Sequence, residues 1–189
     1  MSKAIKVNRL DAMKRRLKEV AGIKVLVGIP EEKSSRSENS ESINNAELLY
    51  IHSHGVRRKA MREEMKSDMN EGKKYSEAYA LYIQSHGSPL WASPPRPVIE
   101  PAIEAHKDEV ADALKSAIQQ YISTGSDSGY RRAGMYGSSI SKDWFEDPRN
   151  GWAPNSASTI EKKGSALPLI DTGAMRQAIT YVIKKGTDI

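Results

Sequence analysis

The sequence predicts an α+β fold in which a small antiparallel sheet is packed by one long helix, with extra helices from an insertion. Three patterns predict it. Residues 23–29 are rich in β-branched side chains and residues 178–184 alternate between faces, so the two segments are expected to pair as strands. Residues 98–123 carry one apolar face at helical spacing. Residues 55–77 are highly charged and interrupt this pattern as a helical insertion.

Length and composition predict one domain spanning residues 1–189. Hydrophobic residues make up 38% of the chain and charged residues 28%, which leaves a modest core under a heavily solvated surface. The absence of cysteine excludes disulfides, thiolate nucleophiles and thiolate metal ligands. The N-terminal stretch is charged throughout and no apolar run approaches the length of a membrane span, so we expect a soluble protein with no signal peptide and no membrane contact.

Lysine and arginine outnumber the acidic residues by 29 to 24, which gives a formal net charge of +5. The excess is divided among short clusters along the chain and is not gathered in one segment, which favours solvated surface over a nucleic-acid site. Symmetry would multiply even a small basic patch in a ring, so contact with DNA in an oligomer stays open.

The N-terminal segment predicts a helix over about residues 7–21. Its apolar side chains recur every three or four positions, Asn8 is a candidate cap, and Gly22 ends the helix. The first strand follows and stops at Pro30. Residues 31–42 contain no apolar side chain, and we expect an exposed loop there.

The pattern AxxLYIxSHG occurs twice, at residues 46–55 and 78–87. Each copy predicts a short helix with histidine in its last turn and glycine at its C-terminal cap. Between the copies, charged helix formers over about residues 57–71 predict an exposed helix that ends at Gly72. Two copies are fewer than the three stacked units that a repeat protein needs, so no solenoid is predicted.

The connector at residues 88–97 contains four prolines. It is predicted to be extended, to lack regular structure and to be anchored by Trp91. The long helix follows, then a weaker helix over residues 129–145, a turn-rich loop and a short helix from about residue 158. Asp171 or Thr172 is the predicted cap of one or two helical turns before the last strand.

No residue pattern predicts catalysis. His52, His54 and His86 are the side chains from which a metal site would be built, but the sequence places no carboxylate beside them and shows no zinc-binding spacing. Ser53 and Ser85 each directly precede a histidine, a spacing that creates no nucleophile–base pair. Phosphate-binding glycine patterns do not occur either. We therefore predict no catalytic residue, no cofactor and no metal.

Two sequence signatures are more specific. The first is a short helix that ends in His86-Gly87, followed by Pro94-Pro95-Arg96-Pro97-Val98-Ile99-Glu100-Pro101-Ala102. The second comprises Gly151-Trp152-Ala153-Pro154, Ser156-Ala157-Ser158-Thr159, Lys162-Lys163-Gly164, Pro168-Leu169-Ile170-Asp171-Thr172-Gly173-Ala174-Met175-Arg176 and Ala178-Ile179-Thr180-Tyr181. In this order, and over residues 23–29 and 78–184, the chain resembles the virion-morphogenesis or tail-completion proteins of tailed phages.

The resemblance implies a structural protein and not an enzyme: a ring-forming neck or tail-completion protein, expected as a hexamer, that joins the head connector to the tail. The implied partners are copies of the chain itself, the head connector or neck proteins, and the tail terminator or tail tube proteins. The implied location is the virion, assembled in the host cytoplasm. The predicted partner interface consists of Trp91, Pro95, Arg96 and Pro97. The predicted structural motif consists of Leu169, Ile170, Asp171, Thr172 and Gly173.

Alternatives stay open at this point. Within the particle, the chain could be the tail terminator that caps the tail tube. The pI of about 9.3 leaves a basic DNA-binding accessory protein as an alternative of another class, with a hydrolase or metalloenzyme as the weakest. For the two main interface residues, the alternative is a role within the domain, with Trp91 in the core and Arg96 in an internal ion pair.

Overall fold

The computed structural model describes residues 2–35, 43–86 and 91–186, with side chains from Arg9 onward. It has the mixed helical and antiparallel β character that the sequence predicts. The helices are α1 (Ser2–Val20), α2 (Asn45–His54), α3 (Lys59–Asn70), α4 (Tyr75–His86), α5 (Ile99–Ala105), α6 (Lys107–Thr124), α7 (Ser128–Asp143), α8 (Ala157–Lys163) and α9 (Ala174–Ala178). The strands are β1 (Lys24–Gly28), β2 (Val56–Arg57), β3 (Trp91–Ser93) and β4 (Thr180–Lys184).

Strands β1 and β4 form an antiparallel pair, which confirms the predicted pairing of these two segments. One face of the pair is turned towards the interior. On the other face, Leu26 lies opposite Val182, and the two side chains are 46% and 38% exposed. This alternation follows from the two-residue period of a strand. The outer face of the sheet is therefore partly apolar and open.

A second pair of strands corrects the prediction for the connector at residues 88–97. The sequence predicts no regular structure there, but β3 pairs antiparallel with β2. The physical reason is that the prolines flank the three residues of β3 and do not fall among them, so their backbone N–H groups remain available for pairing. Residues 88–90 lie outside the described part of the chain.

Helix α7 packs most closely against the β1–β4 sheet, and small residues permit the approach. A Cβ atom built on Gly134 would lie 2.9 Å from Cε2 of the Tyr181 ring and closer still to the rest of that ring edge. A Cβ on Gly137 would lie 2.9 Å from Cγ2 of Val27. The absence of side chains at these positions lets the helix backbone lie almost directly on the strands.

The packing of the sheet by one long helix is not confirmed. The segment at residues 98–123 is two helices, α5 and α6, separated at His106, whose φ of −125° and ψ of 28° fall outside the helical region. Helix α6 packs mainly along α7. It reaches the sheet through a cluster in which Tyr121 and Leu114 join Val25 and Ile183. Two helices therefore cover the sheet, and α7 is the nearer one.

Most of the buried apolar residues of the described chain fall into three clusters. The largest joins α2, α5, the end of α7 and α9, and contains Leu49, Val98, Ala102, Trp144, Phe145, Met175 and Ile179. The second is internal to the α3–α4 hairpin. The third lies between α6, α7 and the sheet. The hydrophobic core is thus distributed over small clusters, as the modest apolar content predicts.

The charged insertion predicted at residues 55–77 contributes α3 and the start of α4, and these two helices form a hairpin with a small core of its own. Helix α3 confirms the helix predicted for about residues 57–71. Met61 and Met65 are 0% and 4% exposed, and they pack against Ala78 and Tyr82 of α4. The narrow apolar stripe of α3 is therefore a packing face between the two helices.

The two copies of the repeated pattern are α2 and α4, but they bury different faces, about 100° apart around the helix axis. In each copy the histidine ring stacks on the tyrosine four residues earlier, with ring centroids 4.1 Å apart. Leu49 is buried and Tyr50 is 65% exposed in the first copy, whereas Tyr82 is buried and Leu81 is 40% exposed in the second. The environment of each copy is set by its neighbours, because one packs on the main core and the other on α3.

Helix α1 begins earlier than the sequence predicts, at Ser2, so Asn8 lies inside it and is not its cap. Nη1 of Arg16 donates to two carbonyl oxygens at the C-terminal end of α6, at 2.9 and 3.2 Å. These bonds satisfy carbonyl groups that a helix end leaves unpaired. Leu10 and Leu17 are 55% and 60% exposed, so part of the predicted apolar face of α1 has no cover in the described chain.

The predicted loop at residues 31–42 is described only in part. Glu31–Lys33 forms a 3₁₀ turn, and residues 36–42 lie outside the described residues. None of the helices described combines the length and the apolar character needed to cross a bilayer.

Candidate functional site

The fold brings the two sequence signatures together around one cleft, which we name the signature cleft. It has a volume of about 740 Å³ and lies between α2, the chain after β3, α8 and the chain before α9. Its lining consists of Leu48, His52, Ala92, Ser93, Pro94, Arg96, Pro154, Asn155, Ser156, Thr159, Lys163, Leu169, Asp171 and Met175. The signatures are far apart in the sequence, so this convergence is a product of tertiary packing.

Arg96 links the two signatures. Its Nε and Nη2 atoms donate to the carbonyl oxygen of Ala153 at 3.2 and 2.9 Å, and Nη2 also donates to the carbonyl of Pro154 at 3.3 Å. Its backbone N–H donates to the carbonyl of His52 at 2.7 Å. Arg96 is only 7% exposed. This burial lowers the pKa of Arg96, although an arginine stays protonated in a protein.

These contacts give Arg96 an internal role, through carbonyl groups and not through the ion pair that the sequence-based alternative names. A planar guanidinium that donates several hydrogen bonds holds its acceptors in a fixed geometry. The loop that carries Ala153 and Pro154 is therefore held against the chain after β3. The predicted interface role of Arg96 stays a prediction.

Pro95 and Pro97 hold Arg96 in an extended segment. Their rings are exposed, whereas Val98, the next residue, is 1% exposed in the main core. The carbonyl of Pro97 accepts a hydrogen bond from Nε1 of Trp152 at 3.1 Å, a second link between the signatures. Proline fixes φ on both sides of Arg96, which restricts the backbone there, and the hydrogen bonds of the guanidinium hold the side chain inward. The exposed rings of Pro95 and Pro97 stay a predicted partner interface.

Trp91 is the first residue of β3 and does not line the signature cleft, whereas the Arg96 side chain does. It is half-buried, and the guanidinium of Arg57 lies 5.4 Å from the centre of its ring.

Gly55, which caps α2 as predicted, has a φ of 73°, and a Cβ there would lie 2.9 Å from Cζ3 of Trp91. Glycine is therefore required at that turn. Gly87, the predicted cap of the second copy, lies outside the described residues.

The motif at residues 169–173 forms an irregular turn against the core. Leu169 has a φ of 59°, in the left-handed region that a branched side chain rarely adopts. Leu169 and Ile170 pack against the main core cluster, which holds this conformation in place. Gly173 has a φ of 77°, so the turn needs glycine at that position.

The cap of α9 differs from the predicted one. The N-cap residue is Gly173, with no side-chain hydrogen bond to the first turn, so the prediction that Asp171 or Thr172 occupies that position is wrong. Oγ1 of Thr172 still accepts a hydrogen bond from the N–H of Ala174 at 3.3 Å. The left-handed backbone of Gly173 shifts the start of the helix by one residue and leaves Asp171 exposed at the signature cleft.

The polar side chains of the signature cleft mainly form hydrogen bonds with backbone groups and with one another. Nζ of Lys163 donates to the carbonyl of Leu167 at 2.8 Å. Desolvation lowers the pKa of Lys163, while Asp171 acts in the opposite direction. Oγ of Ser156 accepts from the N–H of Thr159 at 3.3 Å and caps α8. Such contacts fix the shape of the loops and do not activate a nucleophile.

Sequence reasoning missed the contribution of α2 to this cleft. Leu48 and His52 line it, and the carbonyl of His52 accepts the backbone bond from Arg96. The repeated pattern marks α2 as a helix but does not say which of its faces is buried. Nothing in the sequence could have identified this contact, because it depends on the packing of α2 against the chain after β3.

The histidines do not converge on one point. Nδ1 of His54 lies 2.8 Å from the carbonyl oxygen of Tyr50, and Nδ1 of His86 lies 3.1 Å from that of Tyr82. His52 instead lines the signature cleft. Within the described parts of the chain, no three histidine, aspartate or glutamate side chains are grouped closely enough to hold a metal ion.

We expect the purified protein, dialysed against zinc and then against buffer, to carry far less than one zinc ion per chain, because a structural zinc site needs four converging ligands. Elemental analysis measures the ratio, and His86→Ala serves as the matched variant. Stoichiometric zinc that disappears in His86→Ala would contradict this prediction.

Comparison with known protein families, with characterised proteins and with solved structures finds no match to this chain.

Proposed function

We propose that the chain is a structural protein of a tailed phage particle, a ring-forming neck or tail-completion protein that joins the head connector to the tail. The observation that carries this proposal is the contact of Arg96 with the carbonyls of Ala153 and Pro154. It links the proline-arginine signature to the tryptophan-proline signature. Two motifs that define the resemblance are thus parts of one packing unit, which supports a shared fold over a chance similarity of short motifs.

Exposed apolar side chains support assembly with other subunits. The outer face of the β1–β4 sheet exposes Leu26 and Val182, and α1 exposes Leu10 and Leu17. A two-stranded sheet also has an unpaired edge on each strand, a surface that natural proteins normally cover. We propose that neighbouring copies in a closed ring, expected as a hexamer, cover part of this surface.

The proposed place of the protein is the neck of the virion, after assembly in the host cytoplasm. There the domain of residues 1–189 would contact copies of itself, the head connector and the tail terminator or tail tube. The predicted insertion at residues 55–77 supplies α3 and the start of α4, and the hairpin of these two helices is packed around its own methionine core. If the wall of the channel contacts DNA, the basic residues scattered over the surface make that contact.

We expect phage that lacks this protein to yield tail-less heads together with finished free tails, because a joining protein is needed after head and tail have each been built. Electron microscopy of lysates measures the two classes of particle. Expression of the wild-type chain from a plasmid is the control and should restore complete particles.

Other particle phenotypes would separate the alternatives. Free tails of abnormal length would indicate a tail terminator instead. Complete particles in normal yield would contradict any role in joining. Incomplete heads that hold no DNA would favour a DNA-binding accessory protein.

A further inference from the structure

A second concave surface, which we name the aromatic groove, lies between the C-terminal end of α2 and the α3–α4 hairpin. It has a volume of about 530 Å³ and its lining is mainly apolar. The residues that matter most are Tyr50, Met65, Met69, Tyr75 and Trp91. Of these, Tyr50 is 65%, Tyr75 is 53% and Met69 is 44% exposed, so large apolar side chains meet solvent in one place. Concentrations of exposed apolar surface usually mark an interaction site.

Arg57 holds the aromatic wall of the groove in place. Its guanidinium carbon lies 4.3 Å from the ring centre of Tyr79, 5.4 Å from that of Trp91 and 5.5 Å from that of Tyr75. Its Nη1 atom lies 3.7 Å from Sδ of Met65. Cation–π contacts at these distances are attractive and restrict the rings. The groove is therefore formed before a partner arrives, which reduces the entropy cost of binding.

The charges of the groove have one sign. Arg62 and Lys66 line it one turn apart on α3, together with Arg57, and the described lining contains no carboxylate. Arg62 and Lys66 are exposed, and no carboxylate of the described chain forms an ion pair with either. Like charges four residues apart on a helix repel each other. Carboxylates of a partner would remove this repulsion and fix its orientation.

We propose that the aromatic groove is a docking site for an apolar, acidic segment of another protein. Large aliphatic or aromatic side chains of that segment fill the space beside Tyr50 and Tyr75, and its carboxylates pair with Arg62 and Lys66. Methionines such as Met69 adapt to the shape of such side chains. Aromatic residues and arginine are also the residues most enriched where interface binding energy is concentrated.

Two other occupants fit the groove less well. The exposed leucines of α1 in a second copy stand among lysines and arginines, which the basic groove would repel. Single-stranded nucleic acid needs free aromatic faces for stacking. Here His54 stacks on Tyr50, and Arg57 lies over Trp91 and Tyr75. His54 and Arg57 thus occupy ring faces on which a base would stack, and the groove mainly offers apolar side chains to a partner. Binding at the aromatic groove does not depend on the proposed function, because it is measured on the isolated chain.

The test uses the full chain and a fluorescein-labelled amphipathic peptide made of Leu, Trp and Glu. Fluorescence anisotropy should show binding, and Arg62→Glu/Lys66→Glu and Tyr50→Ser should each weaken it by at least about tenfold. These three side chains are exposed, so the variants should melt like the wild type. Lys115→Glu/Lys162→Glu makes the same charge change at exposed positions outside the groove, and Leu81→Ser removes an exposed apolar side chain elsewhere. Both controls should bind like the wild type.

Three probes complete the test. A peptide with Lys in place of Glu and a peptide with Ser in place of Leu and Trp should bind at least about tenfold more weakly than the acidic apolar peptide. Single-stranded oligothymidine should not compete for the groove. The proposal is overturned if the three peptides bind alike, if none binds, if the groove variants bind like the two control variants, or if oligothymidine displaces the acidic peptide.

Discussion

Replacement of Arg96 by Ala should lower the free energy of unfolding by about 2–3 kcal/mol, the usual contribution of hydrogen bonds made by a charged group. For a chain of this length the melting temperature should fall by roughly 4–12 °C. The reason is that the variant leaves the carbonyls of Ala153 and Pro154 without their donor and leaves a cavity where the 7%-exposed side chain was. Thermal unfolding of the dilute monomer, followed by circular dichroism, measures the change.

Arg131→Ala is the matched control, because Arg131 is an exposed arginine whose contact with Asp127 lies on the surface. It should change stability by less than about 0.5 kcal/mol. Arg96→Lys keeps the charge but not the planar group, so it should also be destabilised. If Arg96→Ala melts like the wild type while heads and tails no longer join in a complementation assay, Arg96 serves the partner interface and the internal role is contradicted.

Replacement of Gly134 by Val should be as damaging, at about 3 kcal/mol, the upper part of the usual range for an overfilled core. The new side chain would meet the ring of Tyr181, which is held in β4 and cannot move away without displacing the strand. Helix α7 would then be pushed off the β1–β4 sheet. Chemical denaturation with urea measures the loss, and a lower slope would show that the native state has also loosened.

The same substitution at Gly28 is the control. A Cβ at Gly28 meets no atom within 4 Å, and valine is favoured in a strand. Gly28→Val should therefore be neutral or slightly stabilising. Equal losses in Gly134→Val and Gly28→Val would show that the close approach of α7 to the sheet is not what limits stability.

The β1–β4 sheet could be predicted because β-branched residues at a two-residue period carry a strong local signal. The helix that packs closest to it could not. Gly134 and Gly137 permit that contact by having no side chain, and a missing side chain adds nothing to an apolar periodicity. The helix predicted for residues 98–123 has the strongest apolar pattern, so the sequence alone favours it as the helix that covers the sheet. Its interruption at His106 leaves no mark in the sequence that we can identify.

The candidate site, like the fold, could be predicted from the sequence only in part. The signatures identify Arg96 and the motif at residues 169–173, because unusual residues recur there in a fixed order. They do not say that the guanidinium points inward, since its acceptors lie 57 and 58 positions further along the chain. The aromatic groove was not predicted at all. Its wall combines Arg57 with Tyr75, Tyr79 and Trp91 from three different elements, and only the folded hairpin brings them together.

The different burial of the two repeated helices has a genetic consequence. A deletion of residues 46–77 would leave one intact copy of the pattern, because the second copy would take the place of the first. Leu81 would then stand where Leu49 now fills the main core, and Tyr82 would take the exposed place of Tyr50. The deletion would remove the hairpin and the aromatic groove, and it would put Ala80 and Gln84 in the places of Leu48 and His52, which line the signature cleft. In genetic terms, a duplication or a deletion of one 32-residue unit would add or remove the hairpin without a shift of the reading frame.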